Sequence, residues 1–249
     1  MNVGLYQSAA SLSALERWQD AVAQNITSGE VTAYKKRATY FASVQSGALQ
    51  SRSGTNAGDN DSQPSIFPVA LTAISFRQGE TRPTGNDLDI AIQGDGFFEV
   101  KMPDGTRAYT RNGEFQTRAD RIVVTTQGHE LLTEAGTPLQ VMPGLGKIVI
   151  NSDGTVVQGD TPLGRLSIQR FAYPELLTPL SGGLYVSGAG MAPVPVTKPE
   201  LMQGYLEESN STPLHEMADL VTVSRAYEAN QKLITSRDEL LEKVLQALG

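Results

Sequence analysis

The chain has 249 residues, enough for one large or two small domains that each bury a core. Its 27 Asp and Glu outnumber 20 Lys and Arg for a net charge of −7, and Lys35-Lys36-Arg37 is the only run of three basic residues, which excludes the clustered cations of a nucleic-acid binder. With no Cys and only two His, far apart, disulfides, thiolate nucleophiles, iron–sulfur clusters and Cys-type zinc sites are excluded, and no cofactor is expected.

From Asn2 to Thr27 there is no Pro, and no Gly after Gly4, while apolar residues recur at helical spacing. Leu5, Leu12 and Ile26 fall seven or fourteen apart, as do Leu15 and Val22, so a seam of heptad type is expected, with Ser28-Gly29 as the helix stop. Gln50 to Ser65 reads QSRSGTNAGDNDSQPS and holds one apolar side chain, Ala57, apart from Pro64. Such a stretch cannot repay the entropy of ordering and is expected to be a mobile linker.

From about Ile66 to Tyr205 the period changes to two, as in Leu88, Ile90, Ile92 and Phe98, Val100, Met102. Asp95-Gly96, Asp104-Gly105, Asn112-Gly113 and Asp153-Gly154 punctuate it with pairs suited to the positive φ of tight hairpins, which predicts an antiparallel β domain. Thr212-Pro213 then starts a second helix, with Glu216 in the first turn where the dipole favours a carboxylate. It runs to Leu248 without Gly or Pro, through a seam of Leu220, Val223, Tyr227, Ile234, Leu241, Val244 and Leu248. No apolar stretch approaches the ~18 residues of a membrane span, and the opening residues lack a basic-then-apolar signal pattern, so neither Sec secretion nor a membrane span is expected.

These elements predict an α+β protein in which paired N- and C-terminal helices form a coiled-coil-like stem carrying an inserted antiparallel β-rich domain. The expected divisions are a stem helix over 1–35, an extended linker over 36–65, the β domain over 66–205 and the second stem helix over 206–249. The twelve seam residues are the candidate assembly interface, because head-to-tail contacts between such subunits build open helical filaments. The same stripes would equally serve as core faces of an ordinary α+β protein.

Chemical motifs have simpler explanations. Asp87, Asp89 and Asp95 fail the spacing of a calcium loop, since Ala91 takes the third ligand position and no Glu closes twelve residues. Gly94-Asp95-Gly96 lacks the glycines and following Lys of a phosphate cradle. His129 and His215 have no neighbouring Ser-Asp pattern, nothing orders Glu99, Asp104 and Glu114 into a carboxylate pair, and the glycosylation triplets at Asn25 and Asn210 fall in a helix and a helix cap. No enzyme is expected.

Three blocks carry a family likeness. Gly4 to Arg37, GLYQSAASLSALERWQDAVAQNITSGEVTAYKKR, resembles the N-terminal signature of flagellar basal-body rod and hook proteins, with Thr32-Ala33-Tyr34-Lys35 in place of the usual Thr-Gly-Tyr/Phe-Lys. Thr84 to Gln116, TGNDLDIAIQGDGFFEVKMPDGTRAYTRNGEFQ, is similar to the family's central block almost position by position, through Gly94, Asp95, Gly96, Phe97, Phe98, Tyr109, Arg111, Gly113 and Phe115. Gln203 to Val244, opening QGYLEESN, is similar to its closing helix. The likeness implies a structural subunit of the rod, nearer the proximal than the distal member in its Gly113 to Val141 region. It further implies self-association in a helical filament, contacts with other rod and hook-basal-body subunits, and passage through the flagellar type III export apparatus to the basal body without a cleaved signal. The competing reading is a β-rich module for cell-wall glycan or protein, with helical oligomerisation tails and with Tyr109, Phe115 and Tyr185 stacking on sugars.

Overall fold

The computed structural model describes residues 3–45, 66–188 and 190–248. Of the linker expected over 36–65, residues 46–65 lie outside them. The chain divides into two compact units, one built from Met1–Thr27, Arg37–Ile74 and Thr212–Gly249, the other from Ser28–Lys36 and Ser75–Ser211.

The first unit contains α1 (Val3–Thr27), β1 (Arg37–Gln45), β2 (Ile66–Ile74) and α2 (Pro213–Leu248). Five alanines between Ala9 and Ala23 favour helix along α1. It ends where Thr27 Oγ1 turns back to the carbonyls of Ala23 and Gln24, just before Ser28-Gly29. α2 begins at Pro213, with the Thr212 carbonyl accepting from the amides of His215 and Glu216. β1 and β2 form an antiparallel ribbon from Arg37↔Ile74 to Gln45↔Ile66. α1 packs on the ribbon, where Trp18 meets Phe41 edge-on at 5.6 Å and Arg17 reaches the Ala70 carbonyl, and on α2, which runs antiparallel to it.

The α+β class holds, but the expected coiled-coil-like stem is not formed. The described protein is mostly β-sheet with one helix near each end, and α1 divides its buried surface between ribbon and partner helix. Its buried side chains, Ser8, Ala14, Ala21, Val22 and Asn25, are small or polar and spread over an arc wider than an a/d stripe. Among the described side chains of α2 the buried ones are Glu216 and Val223, whereas Leu220, Tyr227 and Ile234 are half-buried and Val244 is exposed. A heptad seam needs apolar knobs closed on both sides, and here ribbon contacts and buried polar groups replace them.

In the second unit every described strand pair is antiparallel. It starts with β3 (Thr81–Pro83), β4 (Ile90–Gln93), β5 (Phe97–Lys101), β6 (Arg107–Thr110), β7 (Phe115–Thr117), β8 (Val123–Thr125) and β9 (Glu130–Leu131). There follow β10 (Ile148–Ile150), β11 (Thr155–Gln158), β12 (Thr161–Arg165), β13 (Ile168–Arg170), β14 (Thr178–Pro179), β15 (Leu184–Val186), β16 (Val194–Pro195), β17 (Glu200–Gln203) and β18 (Tyr205–Glu207). The main sheet runs β14-β15-β6-β5-β9-β8-β7, with β13 joining β5 to β16. β10-β11-β12, β17-β4 and β18-β3 complete the unit. Ile90, Ile92, Phe98, Val100, Leu131 and Leu166, all almost fully buried, centre one core.

The turn pairs divide by cause. Gly105 and Gly154 take φ of +86° and +89°, each beside an Asp whose carboxylate accepts an amide two residues on, as the hairpin reading expects. Gly113 does not have positive φ. Its glycine is required by space, since a Cβ there would lie 1.6 Å from the Ile90 carbonyl oxygen.

Candidate assembly surfaces and the buried ion cluster

Each unit has a polar knot built from the motif residues. In the first, Asn25 near the end of α1 donates through Nδ2 to the Arg37 carbonyl and to Glu216 Oε2, both at 2.9 Å, while its Oδ1 accepts from the Arg37 amide at 2.8 Å. One side chain thus anchors the start of β1 and the first turn of α2. Glu216 is 2% exposed, a cost offset by the Asn25 donor and by the positive end of the α2 dipole. Farther along, Tyr227 hydroxyl meets Glu16 at 3.4 Å and Asn230 Nδ2 donates to the Ser8 carbonyl at 3.2 Å.

In the second unit Glu207 on β18 is buried between two buried cations. Its Oε1 pairs with Lys35 Nζ and accepts from the Gly79 amide at 3.0 Å, and its Oε2 faces Arg111 Nη1 at 3.5 Å. Lys35 also donates to the Arg77 carbonyl, and Arg111 to the Gly94 carbonyl at 2.7 Å while lying over the Phe97 ring. Burial pulls the Lys35 ammonium below its ordinary pKa, with Glu207 pulling it back up. Asn210 completes the tie, accepting from the Lys36 amide and donating to the carbonyls of Ser75 and Arg77. Ala33, where the family pattern has Gly, sits at φ +57° and donates its amide to the Glu207 carbonyl. The Thr-Ala-Tyr-Lys turn is thus tied through its backbone to the same residue that Lys35 pairs with.

Sequence reasoning missed Lys35, Glu207, Asn210, Asn25 and Glu216 as structural centres. The available signal was the pairing of a basic and an acidic residue within two resembling blocks 172 positions apart in the chain.

The β-domain motif residues divide similarly. Phe98 is fully buried against Phe115 at 5.2 Å, and Phe97 joins Phe76, Phe171 and Tyr185 in an aromatic cluster that Tyr109 enters through Phe171. A Cβ on Gly96 would lie 2.8 Å from Ile168, whereas Gly94 faces open space and Asp95 is exposed. Tyr109, Phe115 and Tyr185 are all buried, so none offers a face to a sugar. Of the helix residues expected at an interface, Val22 and Val223 are buried, Leu12, Leu15, Ile26, Leu220, Tyr227 and Ile234 are half-buried, and Val244 is exposed. The side chains of Leu5, Leu241 and Leu248 lie outside the described set. Leu233, Leu240 and Val244, each more than half exposed, present apolar surface on α2 beyond what α1 covers.

A polar cleft of about 480 Å³ lies beside Glu99, Arg107, Arg165, Ser167 and Gln169. Glu99 is held by Arg107 at 2.9 Å and Ser167 at 2.5 Å, so both its oxygens are engaged. Asp89 accepts from Asn86, and Asp87 faces Lys147. Among the described residues no group of three or more His, Cys, Asp and Glu is placed to hold a metal, and no helix is long and apolar enough to cross a membrane.

Residues 91–158 match the family model of the flagellar hook protein FlgE/F/G D1 domain, and residues 202–247 that of the flagellar basal body rod FlgEFG protein C-terminal region. These matches define the class as the hook and rod proteins of the flagellum. The flagellar basal-body rod protein FlgF of Caulobacter vibrioides is 33% identical over 253 residues, covering 100% of this chain and 99% of the relative. FlgG of Borreliella burgdorferi is 32% identical with 95% of each chain covered, and FlgG of Bacillus subtilis 28% with 97% of each. The chain belongs to the flagellar basal-body rod protein family, which is a family of structural proteins and not of enzymes.

Proposed function

We propose that this protein is a subunit of the basal-body rod that polymerises helically through faces of its terminal helices. It adds to other rod and hook-basal-body subunits and reaches the basal body through the flagellar type III export apparatus, in the proximal part of the rod. The observation that carries the reading is α2 itself. Contacts at Asn25, Glu16 and Ser8 set the antiparallel register, so residues from about 238 onward extend past Val3 at 1.5 Å per residue. Leu240 and Val244 lie on this extension and are exposed. Exposed apolar side chains on a helix are the expected state of a subunit awaiting its neighbours. The absence of Cys suits a chain that is threaded unfolded.

The test is a Leu240→Asp/Val244→Asp double variant followed by sedimentation. Both positions are exposed, so the melting curve of the monomer stays unchanged while sedimentable polymer is lost. Polymer yield equal to that of the unmodified chain would refute helix-mediated assembly. The glycan-module reading loses its aromatic platform to burial and is not retained.

A further inference from the structure

In the β1–β2 ribbon the register places Ala38↔Ala73, Tyr40↔Leu71, Ala42↔Val69 and Val44↔Phe67 on one face, and Thr39↔Thr72, Phe41↔Ala70 and Ser43↔Pro68 on the other. The second face meets α1 in part: Ala70 is 2% exposed and Phe41 touches Trp18 with one edge, while the rest of Phe41 stays 53% exposed. The first face is apolar at all eight positions, yet Tyr40 is 58% and Leu71 56% exposed. A two-stranded ribbon covered on one side does not keep such a face in water without a partner.

The same unit carries a second uncovered apolar surface. Leu214, Met217 and Val221, at steps of three and four, lie on the side of α2 turned away from buried Glu216 and Val223, and each is more than half exposed. Residues of both surfaces are more than half exposed in the single chain, so neither surface covers the other there. Neither the eight ribbon positions nor the three helix positions include a charge, so each fits the other without stranding an ion.

We infer that the apolar face of the β1–β2 ribbon docks on the Leu214–Met217–Val221 face of α2 in a second copy of this chain, as a head-to-tail contact. The area explains why the occupant is a repeating neighbour and not a single mate. Covering both faces hides on the order of 700 Å², under half of a standard interface of roughly 1,600 Å². A contact of that size does not hold two chains together in dilute solution, but it persists where every copy makes it twice, once with each face. The inference rests on the polymerisation reading and adds to it a specific pair of surfaces, distinct from Leu240 and Val244.

The chain has no cysteine, so introduced thiols report cleanly. Leu71→Cys and Met217→Cys chains, with Tyr40→Cys as an alternative ribbon position, are mixed under polymerising conditions and oxidised. Disulfides are expected only between the two kinds of chain, and the Leu71→Cys/Met217→Cys double variant yields ladders of linked copies. Leu71→Asp raises the concentration needed for polymerisation by about tenfold or more, with the monomer's melting curve unchanged. Disulfides among Leu71→Cys chains alone mean that the ribbon pairs with itself, which overturns the inference. Normal sedimentation with no disulfide overturns it too, while leaving helix-mediated polymerisation intact. Failure of the unmodified chain to sediment at any concentration overturns both.

Discussion

Replacing Glu207 by Gln removes the carboxylate that lies between two buried cations. Lys35 keeps the Arg77 carbonyl, and Arg111 keeps the Gly94 carbonyl and the Phe97 ring, but neither retains a counter-charge in direct contact. Breaking a buried ion pair from one side costs about 3–5 kcal/mol, because the remaining charge stays desolvated. The expected loss is therefore about 3–4 kcal/mol at neutral pH, measured by urea unfolding at constant m-value. Lys35→Met is the informative contrast. It leaves Glu207 with Arg111 and the Gly79 amide, a neutral pair with a hydrogen bond, and should cost only about 1–2 kcal/mol. The pH dependence supplies a second check. A lysine whose folded pKa is lowered sheds its proton in the folded state first. Between the folded and unfolded values the unfolded chain then holds more protons, and stability rises with pH. Losing Glu207 removes the group that raises the Lys35 pKa, so this window opens at lower pH in the Gln variant. The deficit relative to the unmodified protein should shrink between pH 7 and about pH 10. A deficit that is constant or grows over that range would falsify the electrostatic account, as would equal losses for Glu207→Gln and Lys35→Met.

Three glycine-related substitutions test the backbone argument. Arg121 is exposed at φ +67° in a turn closed by its amide on the Arg118 carbonyl, so Arg121→Gly relieves strain and should stabilise by about 0.5–1 kcal/mol in thermal melts; a lower melting temperature would refute this. Gly113→Ala drives a methyl into the Ile90 carbonyl and should cost about 3 kcal/mol or more. Gly94→Ala, at φ +80° with open space around it, should cost only about 1 kcal/mol. Equal melting temperatures for these two would show that space at Gly113 is not the constraint.

Much of this protein is legible along the chain. Period-two runs such as Ile90 to Ile92 become strands as their spacing predicts, although the intervening Ala91 is buried too, because this strand is covered on both faces. Helix limits at Thr27 and Pro213 follow from local stop and cap chemistry, and the family blocks disclose the class. Asn112-Gly113 shows where local reading fails: the pair has the form of a positive-φ turn, but the glycine serves an approach to Ile90, 23 residues away in sequence, that no turn rule encodes.

The terminal helices mark the same boundary. A seven-residue repeat reports that a helix has an apolar side, but it does not name what covers that side. The ribbon's claim on α1, the half-exposed seam of α2 and the Asn25–Glu216 contact were decided by tertiary packing. So was the meeting of Lys35 with Glu207, since the energy of a buried charge depends on neighbours supplied by distant strands. The sequence by itself determined the two helices, the β-rich middle between them and the family. Only the tertiary structure decided which apolar faces were closed within one chain and which were left for another, because burial is a property of the whole surface and not of any segment.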